Sequence, residues 1–156
     1  MNVTDFEVLP ILDPAADAAG RASRAVSLKL YTGVVKLVAY VNQGAANTVT
    51  LTPEQCTNVA GAGAKAISAV PVFSAQDLAT TTVAVRGANA ANFTTSAATT
   101  AKRVEFLIDP AALDIAGGFD AVRLSTGASA AGNITSAFIV ARPKYASELG
   151  NNARVD

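Results

Sequence analysis

Across residues 26–146, apolar and polar positions alternate in short runs rich in Val, Ile, Leu and Thr, separated by turns of Gly, Ala, Asn and Thr. This period and spacing predict an antiparallel β-sandwich. The first two runs, VSLKLY and VVKLVAYV, flank Thr32-Gly33, a pair short enough for a tight hairpin turn. In the second run Val35, Leu37, Ala39 and Val41 share one face, with Lys36, Val38 and Tyr40 on the other. NQGAAN closes it and TVTLT opens the next strand. Thr52-Pro53-Glu54-Gln55 has the form of a capping box with proline at the first helical position, which predicts a single helical turn leaving that strand.

Residues 66–74 form a plausible strand, but Pro71 within it cannot donate a ladder hydrogen bond, so an edge or bulged strand is expected. Residues 80–86 alternate Thr82, Ala84 and Arg86 against Val83 and Val85, and GANAANFTTSAATTAK then reads as a loop holding one short strand. In residues 103–109 Val104, Phe106 and Ile108 share a face, and DPAALDIAGGF follows as a short helical turn stopping at Gly117-Gly118. Residues 119–126 turn Val122 and Leu124 inward, and residues 133–142 are the last strand, ended by Pro143. The runs amount to about eight strands, for which a jelly-roll or Greek-key sandwich is the simplest architecture.

The ends of the chain read differently. Residues 1–24 carry an irregular apolar set, Val3, Phe6, Val8, Leu9, Ile11 and Leu12, broken by Pro10 and Pro14, and neither a helical nor a strand period survives. Such a segment cannot make its own core; it either lies across the domain or extends as an arm onto another subunit. Phe6, Val8, Leu9, Ile11 and Leu12 are therefore the candidate contact residues, and deleting residues 1–12 is expected to leave a folded domain that has lost its partner. The division is then a 1–24 arm, a 25–146 sandwich domain and a 147–156 segment that reads as either a mobile tail or a second contact arm.

At 156 residues the chain suits one core rather than two. Its net charge of zero lacks the phosphate attraction that nucleic-acid binders use. Hydrophobic residues make up 51% of it and charged ones only 15%, below the roughly 25% common in soluble domains; this fits a soluble domain with an Ala-rich surface, and more closely a surface meant to be covered by neighbours. No run approaches the ~18 apolar residues of a membrane span, since Lys36, Asn42 and Arg103 break the longest candidates. The first residues lack the basic start and cleavage site of a signal peptide, so synthesis in a cytoplasm is expected. A single cysteine, Cys56, rules out an internal disulfide.

Candidate chemistry is sparse. The chain has no histidine, the usual general base and the commonest neutral metal ligand. Lys29, Lys36, Lys65, Lys102 and Lys144 occur in no motif that pairs one with a nucleophile, so no catalytic residue and no cofactor is expected. Glu105, Asp109, Asp114 and Asp120 are close in sequence, but their spacing does not match a calcium loop. Asp109 before Pro110 reads as an N-cap and Asp120 as a solvent-facing strand residue. GAGAK, residues 61–65, lacks the spacer and Lys-Ser/Thr pair of a phosphate loop and reads as a flexible turn. Cys56 reads as a small buried hydrophobe. The glycosylation patterns at Asn92 and Asn133 carry no weight in a Thr-rich chain. With Trp absent and aromatics at 6%, a sugar-stacking surface is weakly supported.

Three blocks in order, VNQGAANTVTLTPEQCTNVAGAGAKAIS, NFTTSAATTAKRVEFLIDPAALDIAGGFDAVRLSTG and NITSAFIVARPKYA, resemble small accessory structural proteins of tailed-bacteriophage heads, from about residue 26 to residue 146. Pro53 in TLTPEQ departs from the pattern. The resemblance implies a virion protein on the outer capsid surface that cements the shell by bridging major capsid subunits, acting as a homotrimer and without enzymatic activity. A low-copy tail or head-fibre component and a carbohydrate-binding or adhesion module are the alternatives.

Overall fold

The computed structural model describes residues 6–144. Twelve strands appear among them: β1 (Glu7–Ala16), β2 (Arg21–Ala22), β3 (Val26–Ser27), β4 (Tyr31–Gln43), β5 (Thr50–Cys56), β6 (Lys65–Ala66), β7 (Val72–Ala75), β8 (Val85–Arg86), β9 (Phe93–Thr94), β10 (Ala101–Ile108), β11 (Ala121–Thr126) and β12 (Asn133–Pro143). One antiparallel sheet runs β1-β12-β4-β10-β7-β8. The other runs β2-β11-β5-β6, with β3 also on β11 and β9 on β5. The antiparallel sandwich expected from the alternation is the observed class. The strand number exceeds about eight because five of the strands are only two residues long, too short to leave a period in the sequence.

One core fills the space between the sheets. Val35, Leu37, Ala39 and Val41 of β4 meet Val104, Phe106 and Ile108 of β10 and Ile139 of β12, facing Leu51, Val122 and Leu124 of the second sheet. The predicted inward faces of these runs are the observed ones.

Four local expectations are corrected. Thr32-Gly33 is not a hairpin turn: residues 31–43 are one strand, and Gly33, at φ +70°, sits where the β4–β12 register shifts. The run before it cannot pair back, because Leu28–Leu30 wind into a 3-10 turn capped by Ser27 while Val26–Ser27 join the other sheet. A left-handed residue inside a strand is a bulge, and glycine adopts it without strain.

Thr52-Pro53-Glu54-Gln55 is not a helical turn but the middle of β5. Pro53 is tolerated there because its partner Leu124 turns its backbone to the opposite neighbour, giving N–H to Ser23 Oγ at 2.9 Å and accepting from Ser23 N–H at 2.8 Å. The missing donor of Pro53 therefore faces β6, which ends at Ala66, and only its carbonyl is used, by Ile67 N–H at 3.0 Å.

Residues 66–74 are not one strand: β6 lies in one sheet and β7 in the other, with Pro71 in the crossing. Of residues 80–86 only Val85–Arg86 are strand, since Asp77 closes a turn by accepting from Ala79 and Thr81 N–H. The DPAALDIAGGF segment does form short helical turns, Pro110–Ala112 and Ile115–Gly117, and the second ends on Gly118 at φ +81°.

Residues 7–16, expected as part of an arm without period, are the edge strand beside β12. Register shifts between Pro10 and Leu12 and between Leu12 and Ala15 hide the alternation, because a bulge lets consecutive Ile11 and Leu12 both turn to the core. The predicted 147–156 tail lies outside the described residues.

Candidate functional site

The outward side chains of the β1-β12-β4-β10-β7-β8 sheet can be placed from its registers. One row is Val8, Val140, Lys36 and Leu107, and the next is Pro10, Phe138, Val38, Glu105 and Phe73. A third brings Ser136, Tyr40 and Arg103 side by side. A solvated antiparallel sheet face is ordinarily polar. Here the outward residues of β1, β12 and β4 are largely apolar apart from Lys36 and Ser136, and Val8 (61%), Val34 (56%) and Tyr40 (41%) are exposed among them. Val38 is nevertheless buried at 4%, shielded between its cross-strand neighbours Phe138 and Glu105.

The other half carries charge. Glu105 takes Lys36 Nζ at 2.9 Å on one carboxylate oxygen and lies 2.9 Å from Arg103 Nε with the other. Arg103 also donates from Nη2 to the Thr82 carbonyl at 2.9 Å, which holds the loop before β8 above the sheet. Loop and sheet bound an open groove of about 430 Å³ lined by Lys36, Phe73, Thr82, Val83, Ala84, Arg103, Glu105 and Leu107.

The five candidate contact residues divide. Ile11 and Leu12 are buried in the core and cannot meet a partner; Leu9 is half-buried against it. Phe6 and Val8 are exposed, and Val8 belongs to the apolar half of the outer face. Deleting residues 1–12 would therefore remove core side chains and half of an edge strand, not an appendage.

The four neighbouring carboxylates do not converge, and no group of three or more candidate metal ligands occurs among the described residues. Asp109 caps Pro110–Ala112 by accepting from Ala111 N–H at 2.9 Å. Asp114 caps Ile115–Gly117 and pairs with Lys65 Nζ at 2.7 Å, so hydrogen bonds from Lys65 and then Gly117 N–H hold its carboxyl below the ordinary range. Asp120 precedes β11 rather than standing in it and pairs with Lys29 at 2.5 Å. In the GAGAK turn Gly61 and Gly63 have φ of +80° and +62°, and Lys65 lies 4.1 Å over the Phe119 ring. Cys56 is buried, and desolvation is the main cause that pushes its thiol pKa up despite Arg123 nearby.

Several buried polar residues were not singled out in the sequence. Asp17, at 0% exposure, accepts from Thr126 Oγ1 at 3.0 Å, from Arg21 Nε at 3.1 Å and from the Thr135 hydroxyl. Thr126 and Thr135 lie on β11 and β12, so one carboxylate ties the two sheets together. Arg21 adds bonds to the carbonyls of Asp13, Ala15 and Thr135. The Asp-to-Arg spacing of four in DAAGR is the only sequence trace of this arrangement.

Lys102 is also fully buried and donates to the carbonyls of Gln76 and Ala98 and to Thr100 Oγ1; burial lowers its pKa. Gln43 accepts from Thr95 Oγ1 at 2.8 Å and donates to the Ser96 carbonyl at 2.7 Å. Both were legible: Lys102 continues the inward parity of Val104, Phe106 and Ile108, as Gln43 continues that of Val35 to Val41. These bonds fix the 95–100 loop to the sheet whose outer face is exposed.

No family model matches this chain, and no curated protein matches it. Among solved structures it is similar to the crystal structure of the SPBc2 prophage-derived protein YomS, at 13% identity over 88% of this chain and 93% of that one, with a TM-score of 0.48.

Proposed function

We propose that the protein is a phage virion structural component that decorates the outer capsid surface and cements it by bridging neighbouring major capsid subunits. The observation that carries this reading is the outer face of β1, β12 and β4, where Val8, Val34 and Tyr40 stand exposed beside Phe138 and Val140. An apolar face of this kind, on a chain of zero net charge, is stabilised by being covered. The three sequence blocks that resemble phage-head accessory proteins are the reason for choosing the capsid as the cover.

The mechanism is mechanical and needs no catalytic group, in keeping with a chain that lacks histidine and whose Glu105, Asp109, Asp114 and Asp120 are engaged in ion pairs or caps. A protein that binds the assembled lattice and not its separated subunits stabilises the lattice by mass action. Each Å² of apolar surface buried in such a contact contributes about 25 cal/mol before the costs of ordering. As a homotrimer the protein would engage several sites at once, and avidity would replace high affinity at each.

The test is the copy number of this chain relative to the major capsid protein in purified particles, by quantitative mass spectrometry. Copies approaching one per capsid subunit support decoration. A handful would assign the chain to the tail or a head fibre, and absence from the particle would overturn the virion reading.

A further inference from the structure

The charged half of the outer face differs from the apolar half in one respect that bears on what it binds. Lys36 and Arg103 share a single carboxylate, Glu105, so the groove floor has one cation in excess. The neutralisation is also imperfect: Arg103 Nε is close to Glu105 Oε1, yet its N–H is not aimed at that oxygen, and this buried nitrogen makes no hydrogen bond. A carboxylate entering the groove would meet the partly exposed Lys36 and Arg103 side chains rather than the buried Nε, and would supply the second negative charge that the two cations lack. Around the charges the walls are apolar, with Phe73 and Leu107 on the sheet and Val83, 71% exposed, on the loop above. The groove is an open trough rather than an enclosed cavity, and it runs beside β8, a two-residue edge strand at the end of the sheet.

We propose that this groove takes an extended segment of a partner protein in which an acidic side chain is flanked by apolar ones. The carboxylate bridges Lys36 and Arg103, and the apolar neighbours cover Phe73, Leu107 and Val83. The inference rests on the reading of this sheet face as a partner surface and adds the chemistry by which the partner is selected. The adjoining apolar half contributes area; the groove contributes discrimination, because an uncharged segment would leave the excess cation desolvated and unpaired.

The experiment is an NMR titration of the full chain with two acetylated, amidated pentapeptides of alternating alanine and valine, one with a central aspartate and one with a central asparagine. The aspartate peptide is expected to bind roughly tenfold more tightly, shift the amides of Phe73, Val83 and Leu107, and weaken as salt is raised. Lys36→Gln should abolish the preference without touching the Arg103 bond to the loop. Glu105→Gln, which removes the internal competitor, should strengthen binding of the aspartate peptide. Equal binding of the two peptides, no binding, or shifts confined to another face would overturn the proposal. Particle copy number is measured separately: a chain abundant in particles that shows no preference between the peptides loses this groove assignment alone.

Discussion

The two faces of the β1-β12-β4-β10-β7-β8 sheet are made by the same strands and both carry apolar side chains, yet only one of them is closed. On the inner face Val35, Leu37, Val41, Val104, Phe106, Ile108 and Ile139 are fully buried against the second sheet. On the outer face Val8, Val34 and Tyr40 are also apolar but exposed, with Phe138 and Val140 half-buried beside them. Hydrophobicity alone does not say which face is the core. The difference is made by closure: the inner face is answered by Leu51, Val122 and Leu124 across the sandwich, and the outer face only by lateral neighbours in its own sheet and by the loop before β8. A sheet that is apolar on its closed side and partly apolar on its open side is the feature on which the proposed partner surface rests.

The most direct way to break this comparison is to truncate one phenylalanine on each side. Phe106→Ala should cost about 3–5 kcal/mol, measured by urea denaturation, because it opens a cavity in a closed core. Phe138→Ala on the outer face should cost about 1 kcal/mol. Equal losses would mean that the outer face is as much a part of the chain's own core as the inner one.

Asp17→Ala tests the closure between the sheets. It leaves Arg21, Thr126 and Thr135 without their shared acceptor and should cost about 3 kcal/mol in the same assay. A loss below about 1 kcal/mol would show that packing alone holds the sheets together at that end.

Tyr40→Lys combined with Val34→Glu sharpens the functional side. Both side chains are exposed, so the unfolding midpoint should stay within about 0.5 kcal/mol of the parent while occupancy on purified particles falls. Full occupancy with this pair would remove the apolar half from the contact.

The smallest effect concerns the periphery. Asp114 has its carboxyl pKa lowered by Lys65 and Gly117, so the stability it contributes is complete above its unfolded value of 3.8 and is lost as pH falls through the lower folded value. Denaturation midpoints at about pH 5 and about pH 2.5 should therefore differ less in Asp114→Asn than in the parent. An identical difference would place the acid sensitivity elsewhere in the molecule.

Legibility in the sequence followed the locality of the physics. The inward faces of β4, β10 and β11 were readable because alternation is a property of the strand itself, and the Asp109 cap and the Gly117-Gly118 stop were readable because their partners are within a few residues. The capping-box reading of Thr52-Pro53-Glu54-Gln55 failed because Leu124, more than sixty residues away, orients its backbone so that proline costs no ladder bond. Residues 7–16 looked aperiodic because their bulges are fitted to β12, far along the chain. Of the candidate contact residues, Phe6 and Val8 kept an exposed position and Ile11 and Leu12 lost it, a division that no local pattern could make.

By itself the sequence determined an all-β chain, the inward sides of β4, β10 and β11, the absence of histidine, and a composition poor in charge. Only the tertiary structure decided which strands are neighbours, that the N-terminal segment is an edge strand, that Asp17 joins the sheets, and that Lys36, Glu105 and Arg103 meet beneath the loop before β8. The reason is that side-chain period is set within a strand by alternating backbone geometry, whereas pairing, closure and the convergence of distant charges arise between strands remote in sequence.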